Sequence, residues 1–232
     1  MTLSRGSAPY GLMQPYESLV DKLDDLAASS DCGSITRIGH FTRTEADQFE
    51  FVGYLYLANW RQKPYSPKGR LQILVKAQET IRAHDDVYVL ERSTVRVGYY
   101  DLNGENALLL HGIHFDHGPA QESHPIFHAQ VTNDLVPLGG FAAELRVDFE
   151  QVPCARMQGY ARIPTSDMSL PSVLLCLAAD HIKPELFIAF LGEVRTLQER
   201  MPVPTFEKTR ASVVQESNHL RSSHWFAHTQ GY

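Results

Sequence analysis

The sequence predicts an α+β fold: an N-terminal helix, an antiparallel β-meander sheet and a C-terminal segment of about three helices. Three observations carry this. Between about residues 35 and 163, short apolar runs alternate with polar residues and are bounded by turn residues, the pattern of half-buried strands. Before that stretch, and again after Ser169, apolar residues recur at helical spacing. Asn103-Gly104 lies between two β-rich runs, a strong short-range hairpin signal. One α+β domain over residues 1–232 is expected, with 1–13 a loose arm, 14–165 helix plus sheet, and 166–232 helical.

Pro15 to Ala28 sets Leu19, Val20, Leu23 and Leu26 on one side and acidic residues opposite, which predicts the first helix. Asp31 to Ser34 is a turn. Ile35–Phe41 and Phe49–Ala58 read as strands, the second with Phe49, Phe51, Leu55 and Leu57 on one face. Leu71–Lys76 is a third. Gln78–Ala83 fits a short helical turn as well as a strand. After the central hairpin, Leu135–Gly140 is a loop, Ala142–Val152 alternates as a strand, and Gly159–Ile163 is a shorter candidate. Asp167 or Ser169 can cap a helix to His181, with Pro171 tolerated in its first turn. Pro184 opens the next helix, with Leu186, Phe187, Phe190, Leu191, Val194 and Leu197 on its apolar side. Pro202 and Pro204 end it, and a third helix is expected over Phe206–Phe226.

The chemistry concentrates between Asp86 and Thr132. With Asn103 and Gly104 as the two central turn residues, Val97 faces Leu110, Ser93 faces His114 and Glu91 faces Asp116. Pro125–Val131 returns as a further strand and brings His128 beside His114. Glu91, His114, Asp116 and His128 then share one sheet face. Two imidazoles and two carboxylates suit a divalent metal or a general acid/base pair. His114, Asp116 and His128 are the candidate metal ligands, and Glu91 the base or a further ligand. The same histidines also read as half-buried residues satisfied by local hydrogen bonds. Trp60–Arg70 carries Arg61, Lys63, Lys68 and Arg70 with two aromatics and no acid, a loop able to hold phosphates or simply to be solvated.

His114-Phe115-Asp116-His117 resembles the back half of the HxHxDH motif of metallo-β-lactamase-type hydrolases. His111, however, stands one residue too far upstream, and Gly112 occupies the ligand position. A GxSxG elbow, a P-loop and a dinucleotide fingerprint are absent. A net charge of -6 disfavours nonspecific nucleic-acid binding. Cys32, Cys154 and Cys176 form no CxxC pair, so a reducing compartment fits, and no apolar run is long enough to span a bilayer. The expectation is a cytoplasmic protein without a membrane segment. Two function classes follow: a binding protein that docks a protein partner through its sheet or C-terminal helices, or a metal-dependent hydrolase of a phosphoester or nucleic acid.

Overall fold

The computed structural model describes residues 9–63, 69–85, 87–117, 127–145, 147–150, 163–164, 169–198 and 200–204. Helix α1 spans Tyr10–Ser29 and buries Leu12, Met13, Tyr16, Leu19, Val20, Leu23 and Leu26. It starts earlier than Pro15, inside the supposed arm, because Leu12 and Met13 continue the same apolar stripe. Pro15 sits within it, and the bond that Pro15 cannot donate would have gone to exposed Gly11.

Six strands follow as an antiparallel meander: β1 (Ser34–Arg43), β2 (Gln48–Arg61), β3 (Arg70–His84), β4 (Val87–Asn103), β5 (Asn106–His117) and β6 (Phe127–Thr132). Short segments complete the sheet. β7 (Asp148–Glu150) runs parallel to β5 near its start, β8 (Ile163–Pro164) pairs β6, and β9 (Val203–Pro204) runs parallel to β4 at Val89 and Leu90. A four-residue helix, α2 (Ala142–Leu145), follows a 3-10 turn at Gly139–Phe141. Helices α3 (Leu170–His181) and α4 (Pro184–Gln198) close the described chain. The α+β order is therefore as expected; the third C-terminal helix falls outside the described residues.

One open reading is decided and two local expectations are corrected. Gln78–Ala83 is strand, with Gln78 to Arg82 pairing residue by residue with β2. Its alternation was disguised by Glu79, a charged residue at a core position, where it is 0% exposed. Ala142–Leu145 is helical, because Phe141 and Leu145 lie four apart and both bury against the sheet. The hairpin turn has Gly104 and Glu105 at its centre, with Asn103 paired to Asn106. Gly104 takes φ +66 at the first central position, as a II′ turn requires.

Moving the turn changes every partner on β4. A β-bulge between Tyr99 and Tyr100 then adds one more step, with Leu110 as the extra residue on β5. Val97 faces Ile113, Arg96 faces His114 and Thr94 faces Asp116. The odd shift turns each β5 side chain beyond the bulge to the other face relative to β4.

The two faces differ. Phe51, Leu55, Ile73, Val75, Val95 and Val97 look toward α1, α3 and α4 and form the main core. On the other face a smaller core of Tyr56, Leu74, Tyr100, Leu109, Val136, Phe141 and Leu145 covers only the end nearest the β4–β5 turn. Beyond it this face stays polar.

Candidate functional site

On the polar half, register alone sets out two rows. Lys76, Arg96, His114 and Gln130 stand side by side across β3, β4, β5 and β6. The next row holds Gln78, Thr94, Asp116 and His128. Directly opposed residues on one face have Cβ atoms about 4.5–5.5 Å apart, so these side chains meet.

His114, Asp116 and His128 are brought together. His114 Nε2 lies 2.9 Å from Asp116 Oδ1, and His128 Nε2 lies 3.5 Å from Oδ2. Thr94 donates its hydroxyl to Oδ1 at 2.9 Å. Burial alone would raise the Asp116 carboxyl; the His114 and Thr94 hydrogen bonds and the nearby imidazoles outweigh it and hold the group below its ordinary value. His128 is 2% exposed, whereas His114 is partly open.

Glu91 is not part of this group. It is the extra residue of a second bulge, where Thr80 pairs with Arg92 and Ile81 with Leu90. Its carboxylate accepts from Arg82 Nε at 2.6 Å and from Gln48 Nε2 at 2.9 Å. Glu91 therefore does not face Asp116, whose partner is Thr94, three residues further along β4, about 10 Å away at strand rise.

Both imidazoles direct Nε2 at the same carboxylate, and among the described residues no group of three His, Cys, Asp or Glu side chains is arranged to hold a metal ion. The depression beside His114 is a notch of about 30 Å³, bounded by Arg96, Ile113, Thr132, Asp134 and Val136. It has room for a water or two, not for a substrate.

Of the four cations expected to carry phosphate, Arg61 and Arg70 both converge on Asp31, at 3.1 and 3.3 Å. Their hydrogen bonds, that of Arg61 first, hold the Asp31 carboxyl below its usual range. They also bind Asp31's carbonyl oxygen and so tie the α1–β1 turn to the β2–β3 hairpin. Lys63 is exposed, and Lys68 lies outside the described residues.

Sequence reasoning missed Lys76, Arg96 and Thr94. A register with Val97 opposite Leu110 puts Arg96 on the face away from His114, and Lys76 gives no signal beyond alternation. Burial, and then Arg96 beside it, hold the Lys76 ammonium below its ordinary value. Lys76 lies over the Tyr54 ring, 5.6 Å from its centroid. Neither Lys76 nor Arg96 forms an ion pair among the described residues, although Arg37, Arg61, Arg70 and Arg82 each meet a carboxylate.

No family model, no curated protein and no solved structure matches the chain. Among the described residues no helix is long and apolar enough to cross a membrane.

Proposed function

We propose that the protein is a binding protein that docks an acidic segment of a protein partner on the polar half of its sheet. The observation behind this is the Lys76–Arg96–His114 row. Two cations are pressed together there, and neither forms an ion pair among the described residues. Bringing like charges together costs free energy, and an incoming acidic side chain removes that cost. The C-terminal helices offer less: Ile188 is the one large apolar side chain exposed on α4, and single exposed apolar residues are ordinary.

The test is titration with a fluorescent glutamate-rich peptide at low and at physiological salt. Saturable, salt-sensitive binding is expected, weakened about tenfold or more in Lys76→Gln/Arg96→Gln. Binding unchanged in that double variant defeats the proposal. A single-stranded oligonucleotide of matched charge, if it bound more tightly than the peptide, would move the partner to nucleic acid.

The competing class is a metal-dependent phosphoester hydrolase centred on His114, Asp116 and His128. Its support is the convergence of these three side chains. A metal would have to displace the hydrogen bond that His114 gives to Asp116 and the 3.5 Å contact of His128 with the same carboxylate, and the 30 Å³ notch gives a substrate no seat. Elemental analysis of untagged protein purified without chelator separates the classes. Stoichiometric metal that disappears in His114→Ala would favour the hydrolase.

A further inference from the structure

A second feature lies on the other side of the sheet and is independent of the polar row. Gly39 on β1 and Gly53 on β2 are directly paired, and both face α1. Neither has a Cβ, so the sheet beneath the helix is bare backbone at that point. The Phe51 ring folds over Gly53, so near that a Cβ added there would lie 2.5 Å from it. What remains between α1 and the sheet is a cleft of about 230 Å³. Protein interiors leave few voids larger than a water molecule, so a space of this size beside the main core is a feature to be explained.

The walls of the cleft are apolar and aromatic. Val20, Leu55 and Leu170 line it together with Tyr16 and Phe51, whose rings lie 4.9 Å apart. The Tyr16 hydroxyl is committed to Glu79, at 2.6 Å, so Tyr16 presents its ring to the space. The polar lining is Glu17, Asp21 and Arg37. Arg37 is committed to Asp21. Glu17, one turn earlier on the same helix, makes no ion pair among the described residues. The cleft thus carries one carboxylate beyond what its single arginine offsets.

We propose that this cleft is a binding site for a small apolar amine, with its body against Tyr16, Phe51 and Leu55 and its ammonium directed to Glu17. The volume is below the usual range for drug-sized ligands, which limits the occupant to a single ring or a short chain. The aromatic walls favour a cation near their faces. Carboxylates are disfavoured by Glu17, the charge that Arg37 does not offset.

The experiment is calorimetric titration of the full chain with three compounds of similar shape: 2-phenylethylamine, 2-phenylethanol and 3-phenylpropionate. The amine is expected to bind about five- to tenfold more tightly than the alcohol, and the acid not at all. Glu17→Gln should bring the amine down to the level of the alcohol. Val20→Phe should fill the cleft and abolish binding of both. Should that variant fail to fold, the methyl resonances of Val20, Leu55 and Leu170 in the unaltered protein report the site, and they should shift with added amine. No binding of the amine, equal binding of amine and alcohol, a preference for the acid, an amine affinity unchanged by Glu17→Gln, or unmoved methyl resonances would each overturn the proposal.

Discussion

The carboxylate of Glu79, in the middle of β3, accepts the backbone N–H of Leu170 at 2.8 Å. Leu170 is the first residue of α3, and Ser169 before it makes no capping bond with its side chain. A core glutamate therefore serves as the cap of a helix from another part of the chain. Tyr16 and Ser93 donate to the same carboxylate, at 2.6 and 3.1 Å, so one side chain ties α1, β3, β4 and α3 together. A negative charge at a helix N-terminus also meets the favourable end of its dipole.

Glu79→Gln should consequently be costly for its size. The amide brings two donors to a place already filled with donors and removes the charge. A loss of about 2–4 kcal/mol in urea unfolding is expected. Tyr16→Phe, which removes a single donor, should cost about 1–2 kcal/mol. A Glu79→Gln midpoint close to that of the parent would mean that the carboxylate is not the cap that organises α3.

Asp116→Asn should cost about 1–3 kcal/mol at neutral pH through its bonds to His114 and Thr94. The folded carboxyl is held below its ordinary value. Its contribution is then fully present above the unfolded value, near 3.9, and disappears as pH falls through the lower folded value. The gap between parent and variant should narrow below about pH 4. Urea midpoints measured through that range would show it, and a gap that failed to narrow there would contradict the assignment.

His181 should act in the same direction as Asp116, at higher pH. It is 4% exposed, its Nδ1 donates to the Arg61 carbonyl at 2.7 Å, and burial holds its imidazole below the ordinary value. The unfolded chain takes up this proton first, near pH 6.5, so stability falls as pH drops below that point. The slope from this one side chain is at most about 1.4 kcal/mol per pH unit, and it ends at the folded value. Thermal melts from pH 7.5 to 5 should be less acid-sensitive in His181→Phe than in the parent. Parallel curves for the two would remove His181 as a source of acid lability.

Truncation after Thr165 tests whether sheet and helices form one domain, as we propose. Leu170, Val173, Leu174, Leu177, Phe190 and Val194 all belong to the main core. Their removal should leave insoluble protein with apolar sheet surface exposed. A soluble fragment with a cooperative melt would show that the helices are a separate unit.

Element types were legible because their periodicities are strong. The helices at Leu170 and Pro184 and most of the strands lie where apolar spacing puts them. Pairing was not, because the turn lies one residue beyond Asn103-Gly104 and Leu110, which looks ordinary in sequence, is bulged. Together they bring Arg96 opposite His114 and move Asp116 from Glu91 to Thr94. His114, Asp116 and His128 came together even so, because β5 and β6 pair without a bulge. The cleft was invisible for another reason. It arises from two glycines more than one strand length apart in sequence, and only their pairing brings the missing side chains together.

β4 is the longest strand in the sheet, and its first residues run past the end of β5. Val203 and Pro204 supply the neighbour there, on Val89 and Leu90. During synthesis that strip leaves the ribosome long before its partner exists. Unpaired strand edges are where chains misassociate. The interval between the emergence of Leu90 and that of Val203 is thus the window in which a half-made chain is most exposed to strand exchange with its neighbours on the same message.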